Sequence, residues 1–553
     1  MRSIPRSVWF LCVMLFLMVL TISSIRVMTA QEWPDSLPES ELVRQINLGL
    51  ERDREAPVDG VITGATPCVG GMAGIYPCQN VDLLAHMPLN TIGNGNGSAN
   101  WGWTDTVSGR EFAIMGRSNG TAFVEITDPV NPIYLGNLPS HTGNSSWREL
   151  KTYSHYVFIV SDSNGAHGMQ VFDLNQLLTV ASPPVTFAES AHYPGVNNGH
   201  TITTNEATGY AYIFGSNTCS GGLHFVNLQN PLSPVGAGCF SSDGYTHDAQ
   251  CLNYTGPDVA HQGKELCFAY NTDTLTIVDV TNKAAPVQIS RTGYAGRGYT
   301  HQGWLTDDQQ YLVMDDELDE QNFGHNTRTY LWDVRDLDVP VLMGYHQAAV
   351  AAIDHNQFFL GDYLFQANYR AGLRIMDGSN IASGQLSEIA YFDIYPANNN
   401  ASFNGAWHVY PYFPSGVVIV SGIEQGLFIL DPQLPDEANY EAQLVETTSS
   451  AVAMPGNHAT HSFVVENLGD DDSYTLAVNG NSWPTTVMTS SPITITGGMT
   501  GTIEVEVHVP VNAAASQDTF TLTITSTNDP NLILTATGTT AFNQMFLPAL
   551  LKP

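Results

Sequence analysis

Short apolar runs, rich in β-branched and aromatic residues, recur along residues 112–431 and close each time on an acidic or amide residue. The closures are Glu125 (AFVE), Asp173 (MQVFD), Asn227 (LHFVN), Asp279 (LTIVD), Asp333 (TYLWD), Asp377 (LRIMD) and Asp431 (LFILD). Each is preceded by a second run of the same kind: FAIMG, YVFIVSD, YAYIFGS, LCFAYN, YLVMDD, YLFQANY and VVIVSG, opening at Phe112, Tyr156, Tyr210, Leu266, Tyr311, Tyr363 and Val417. Runs of this length bounded by Gly, Asn and Asp predict strands. Because they are continuously apolar rather than alternating, the strands should be covered on both faces. The acidic or amide closures should stabilise turns by accepting from the backbone two residues on.

The repeat of roughly 50 residues matches one four-stranded propeller blade. The fold class predicted is all-β, a seven-bladed β-propeller over 67–438, which leaves no long open sheet edge. The last repeat ends near Asp431 without an outer strand of its own, and the early strand at Val81–Leu89 could supply it. Beyond this region the pattern becomes Thr-rich and alternating (HSFVVEN, SYTLAVNG, TIEVEVHVP, DTFTLTITS, LILTATG). It predicts an immunoglobulin-like or fibronectin-like β-sandwich over 439–541.

The first 30 residues predict a signal peptide. Arg2 and Arg6 precede the apolar run Val8–Leu20, with cleavage expected near Ala30; an uncleaved anchor is the alternative. Residues 31–66 read as a linker with one helical stretch (Leu42, Ile46, Leu50). The apolar tail, 542–553, is too short to span a bilayer, so no transmembrane span is expected in the mature chain.

Composition narrows the function. Lys+Arg number 19 against 53 Asp+Glu, a formal net charge of −34. Such a field repels phosphate backbones and excludes nucleic acid as a partner, while favouring divalent cations. Of seven cysteines, Cys12 falls in the signal segment. The other six form an even set in an exported chain, which predicts disulfides. Fifteen connectivities are open, and local pairing is expected: Cys68 with Cys78, Cys219 with Cys239 and Cys251 with Cys267.

Segments 68–84 (CVGGMAGIYPCQNVDLL), 245–251 (YTHDAQC), 315–334 (DDELDEQNFGHNTRTYLWDV), 361–377 (GDYLFQANYRAGLRIMD) and 403–430 (FNGAWHVYPYFPSGVVIVSGIEQGLFIL) resemble the exported choice-of-anchor B family. Leu275–Asp279 (LTIVD) is nearly the motif of the LVIVD-repeat proteins. The likeness spans about residues 66–434. It implies a secreted or cell-surface protein, and it brings no catalytic residues with it.

Two constellations could carry chemistry. The first strands of the repeats open on Trp101, Trp147, His200, His247, His301, His355 and His408, which should form a ring at one mouth of the propeller channel. Imidazoles there could bind a ligand or a metal, with Asp248 and Asp354 beside two of them, or transfer protons. They could instead hydrogen-bond the neighbouring blade and fix its spacing. The second is the carboxylate run Asp315, Asp316, Glu317, Asp319 and Glu320, on the same face. It could hold Ca²⁺, pair with Arg328, or be solvated. The cofactor expected is thus calcium or a transition metal, if any. The aromatic group Trp407, Tyr410, Tyr412 and Phe413 reads as core or as a sugar- or peptide-binding surface.

HExxH and P-loop patterns do not occur. The function expected is a secreted or cell-surface binding or scaffold protein for an extracellular protein or glycan. The alternative is a secreted metal-dependent hydrolase or oxidoreductase with its site at the His-lined mouth.

Overall fold

The computed structural model describes residues 61–435, 440–529 and 532–542. The segments expected to be a signal peptide and a helical stretch, both before residue 61, and the apolar tail beyond Phe542 lie outside the described residues. The chain is all-β, and its compact units divide between Leu434 and Pro435. No helix among the described residues is long and apolar enough to cross a membrane.

The first unit contains seven sheets in a propeller-like arrangement, antiparallel except where Val185–Thr186 runs parallel to Ile133–Pro139. Their innermost strands are Gly97–Thr104, Arg148–Tyr153, Thr201–Asn205, Asp248–Asn253, Thr300–Leu305, Asn356–Leu360 and Ala406–Tyr410. Each packs on the inner strand before and after it, and Ala406–Tyr410 packs on Gly97–Thr104. Side chains stitch neighbouring inner strands together. Ser98 Oγ donates to Arg148 O (3.1 Å) and Thr204 Oγ1 to Thr152 O (2.8 Å). Gln302 Nε2 donates to Gln357 O (3.1 Å), and Asn100 Nδ2 to His408 O (2.9 Å).

The second strands are buried on both faces, as their continuous apolar pattern requires: every residue of Glu111–Arg117 and of Tyr311–Asp316 is buried. Val81–Met87 pairs with Gly426–Pro432, placing Asp82 opposite Asp431, so an early strand does complete the last sheet. The turn role of the repeat closures holds at five positions. Asp173, Asn227, Asp279, Asp333 and Asp377 each accept from the backbone N–H two residues on, at 2.8–3.0 Å. Glu125 instead takes a bidentate contact from Arg110. All six cysteines of the first unit pair locally, Cys68–Cys78, Cys219–Cys239 and Cys251–Cys267.

The second unit has two sheets. Its strands alternate between buried and exposed, as in His458–Asn467 and Gln517–Ser526, so each sheet turns one face inward. Phe463, Val465, Ile503, Val505, Phe520 and Leu522 form the shared core. Asp472, which follows two acidic neighbours that suggest a hydrated turn, is buried and accepts from Asn528 Nδ2 (3.1 Å).

Candidate metal centre

Four histidines stack side by side where the inner strands begin. Ring centroids are 4.4 Å apart for His200–His247, 4.1 Å for His247–His301 and 4.3 Å for His301–His355. Each Nδ1 has an oxygen partner. His247 Nδ1 meets His301 O at 2.9 Å, and His355 Nδ1 meets Trp407 O at 2.6 Å. A carbonyl only accepts, so the His247 nitrogen carries the proton and its Nε2 keeps the lone pair, whereas His355 Nδ1 faces both the Trp407 carbonyl and the Asn356 Nδ2 donor at 2.8 Å. His200 Nδ1 faces Asp162 Oδ2 (2.9 Å) and His301 Nδ1 faces Asp315 Oδ1 (3.2 Å). This pattern fixes ring orientation, as the outer-shell partners of metal-binding histidines do. The contacts of His247 and His355 to the next inner strand also give them the spacing role considered from the sequence.

Burial favours the neutral form of three of these rings, His247, His301 and His355. It drives His355 down to about 3. It also takes His247 and His301 well below the usual imidazole range, helped by the neighbouring rings. A neutral imidazole is the form that ligates a metal.

The carboxylate run folds inward over these rings. Asp315 and Asp316 end strand Tyr311–Asp316, and Asp319 and Glu320 open the short helix Asp319–Phe323, which stops at Gly324 in the left-handed region (φ 72°). Leu318 anchors the turn by packing in a buried cluster with Tyr299, Ile353, Tyr369 and Trp407. The loop therefore supplies what a wide ring lacks, a group that reaches toward the axis. Glu317 takes a hydrogen bond from Tyr369 Oη at 2.6 Å, and its Oε1 lies 3.6 Å from His355 Nε2. One ligand atom each from His301, Glu317 and His355 falls within 4.8 Å of the others, all three residues being buried. Two imidazole nitrogens and one carboxylate oxygen are a borderline-soft donor set suited to zinc and its neighbours. Burial raises Glu317 to about 7, against the Tyr369 hydrogen bond.

The five carboxylates of the run have different tasks. Asp316 accepts from Tyr294 Oη (2.6 Å), Gly298 N (2.8 Å) and Tyr299 N (2.6 Å), and so ties the approach to the inner strand. Asp315 accepts from Gln302 N (2.6 Å). Asp319 accepts from Tyr330 Oη (2.7 Å). Glu320 groups with Asp319 and with Asp354, which lies just before the inner strand Asn356–Leu360. Arg328 does not pair with the run; its guanidinium stacks 4.2 Å from the Tyr345 ring centroid. Nor is the run solvated, since all five residues are at most 2% exposed.

The predicted ring is met in part. Trp147, His200, His247, His301 and His355 surround one cavity of about 20 Å³, joined by Arg148, Glu149 and Trp407. Trp101 and His408 do not join it. Ser98, three residues earlier, is the residue of Gly97–Thr104 that lines the cavity, and the register slips between Ala406 and His408, where a one-residue slip turns a side chain to the other face. Trp407 therefore takes the expected place of His408. Trp101 stacks 4.3 Å below the Lys151 ammonium and 6.0 Å from the His408 ring. Asp248 also stays apart: its Oδ1 accepts from Ala249 N (2.7 Å), and burial raises it to about 7 against the nearby Lys151 charge. Tyr410, Tyr412 and Phe413 pack on one another in the core. Glu149 and Tyr369, both absent from the sequence reading, stand out only once the sheets are assembled.

No protein-family model and no curated protein matches the chain. Among solved structures it is similar to a Lactobacillus plantarum protein (14% identity, TM-score 0.40, covering 55% of this chain and 84% of that one). It is also similar to a functionally unknown protein from Desulfotomaculum acetoxidans (11%, 0.41, 59% and 97%). A third is the periplasmic gluconolactonase PpgL of Pseudomonas aeruginosa (11%, 0.39, 62% and 96%). These similarities are too low for a shared function or a shared site to follow.

Proposed function

We propose that this chain is an exported binding protein, built on a seven-bladed β-propeller followed in sequence by an immunoglobulin-like sandwich, and that a divalent transition-metal ion is the ligand of its axial site. The observation that carries the reading is the convergence of His301, Glu317 and His355 within 4.8 Å. Ligands from the inner strands of two successive sheets and from the inserted loop would be joined by one ion. Two features support export: the paired cysteines, which suit an oxidising compartment, and the resemblance to the choice-of-anchor B family.

The test is metal analysis of the full chain, produced with its disulfides and purified without chelator. One equivalent of zinc, or of a metal that zinc displaces, is expected, and it should be lost in His301→Ala and His355→Ala. A metal-free protein whose unfolding temperature does not respond to added zinc, copper, nickel or cobalt would overturn the reading.

A metal-dependent hydrolase is the second reading. It is favoured by the three-ligand set, which leaves a position for water, and by the adjacent cavity of about 20 Å³. That volume holds a water molecule and no substrate, so catalysis requires the loop over Leu318 to open. Turnover by the metal-loaded protein across ester, lactone and phosphoester substrates separates the two readings.

A further inference from the structure

Beyond the axial site, the structure points to a second site of different chemistry. We propose that Asp319, Glu320 and Asp354 bind a hard divalent cation, Ca²⁺ in first place. One oxygen from each of the three carboxylates falls within 4.8 Å of the others. The residues are 0%, 2% and 1% exposed. No protein donor reaches five of their six oxygens: Asp319 Oδ1, both of Glu320 and both of Asp354.

Proximity alone would not make this a site. The independent observation is that Asp354 is a buried side chain, 1% exposed, with no hydrogen-bond partner on either oxygen, beside Glu320, whose own contacts are local to the loop. Buried carboxylates elsewhere in the loop have donors, so the contrast is local. Asp316 has three within 2.8 Å, and Asp315 has Gln302 N. Among the described residues no Lys or Arg forms an ion pair with the cluster; Arg328, whose charge favours the Asp319 carboxylate from a distance, stacks on Tyr345. His325 comes within 3.6 Å of Asp319 Oδ2, and burial keeps that imidazole below its usual range, so it offers little positive charge. Three buried anions side by side require a counter-charge or protons. A proton shared between Asp319 and Glu320 would serve two of them and leave Asp354 with nothing.

Oxygen-only donors select Ca²⁺, Mg²⁺ or Mn²⁺ over zinc. Ca²⁺ accepts six to eight oxygens in irregular geometry, with bidentate carboxylates, whereas Mg²⁺ demands a near-octahedral shell. The five donor-free oxygens come from only three side chains, which fits Ca²⁺. Bound there, the cation would tie the short helix Asp319–Phe323 to the residue that precedes His355, and so join two neighbouring sheets.

The test uses the full chain, stripped with EDTA and then saturated with zinc so that the axial site is not the reporter. Ca²⁺ should raise the unfolding temperature by several degrees, with a concentration dependence that gives its affinity. Tb³⁺ should bind competitively and be sensitised by Tyr330, whose hydroxyl is 2.7 Å from Asp319. Glu320→Gln and Asp354→Asn, each nearly isosteric, should weaken Ca²⁺ roughly tenfold or more. The proposal is overturned if millimolar Ca²⁺ neither shifts unfolding of the wild type nor displaces Tb³⁺, an assay that needs no variant to fold. It is also overturned if both variants respond to Ca²⁺ like the wild type. Because zinc is already bound, loss of the calcium response leaves the axial site standing, and loss of zinc binding leaves this one.

Discussion

Replacing Asp316 with Ala should destabilise the first unit, although Asp316 is a ligand of neither proposed ion. The carboxylate accepts from Tyr294 Oη, Gly298 N and Tyr299 N at 2.6–2.8 Å in a fully buried position. Ala strands all three donors. Each orphaned buried donor costs about 1–3 kcal/mol, so the gross loss is about 3–9 kcal/mol. Against this, removing a buried carboxylate, whose affinity for protons burial has already raised, returns several kcal/mol. The net expectation is a loss of about 2–4 kcal/mol. For a unit of this size that lowers the unfolding temperature by several degrees. Asp316→Asn keeps one acceptor oxygen but turns an NH₂ toward the donors, and should fall between Ala and wild type. Calorimetry of the three proteins, all EDTA-treated, is the assay. If Asp316→Ala unfolds within about 0.5 kcal/mol of wild type, the loop is not held by this carboxylate and the account of how Glu317 is positioned fails.

Three further outcomes are expected. Leu318→Ala removes the buried anchor of the loop and should cost about 2–5 kcal/mol while weakening zinc binding; unchanged zinc affinity in a calorimetric titration would show that the anchor does not set the site. Replacing Cys219 and Cys239 together by Ala should cost about 3 kcal/mol through the freed loop of 20 residues, and a double variant as stable as wild type in thermal unfolding would refute that pairing as a stabilising one. Asp248 binds its proton more tightly folded, at about 7, than unfolded, so its contribution is favourable in acid and is lost as pH rises from about 4 through 7. Discounted for its partial exposure, this should make wild type lose about 1–3 kcal/mol more than Asp248→Asn between pH 4 and 8 in urea unfolding; parallel pH profiles would contradict it.

The strands were readable because burial on two faces leaves an unbroken apolar run, and five of the seven repeat closures make the turn bonds their residue type suggests. The placement of Val81–Met87 was readable because the last repeat ends one strand short. His408 was misplaced because a bulge leaves no mark in an apolar run, yet it decides which of two neighbours, Trp407 or His408, faces the cavity; Trp101 was misplaced because its strand already begins at Gly97, so that Ser98 takes the cavity position. The convergence of Glu317 on His301 and His355 depends on Leu318 docking among aromatics drawn from several sheets. Nothing in the run DDELDE says which acid is tied by backbone donors and which has none. Asp354 carried a signal, since it stands beside His355, but its partners Asp319 and Glu320 belong to the preceding repeat.

The central claim is an ion held by His301, Glu317 and His355. X-ray absorption at the metal edge of the protein purified without chelator tests it most directly. The account predicts one ion per chain with two imidazole nitrogens and a carboxylate oxygen at about 2 Å, and loss of the bound ion, and with it the edge signal, in His355→Ala. A first shell without imidazole, or a spectrum unchanged by that substitution, would contradict it.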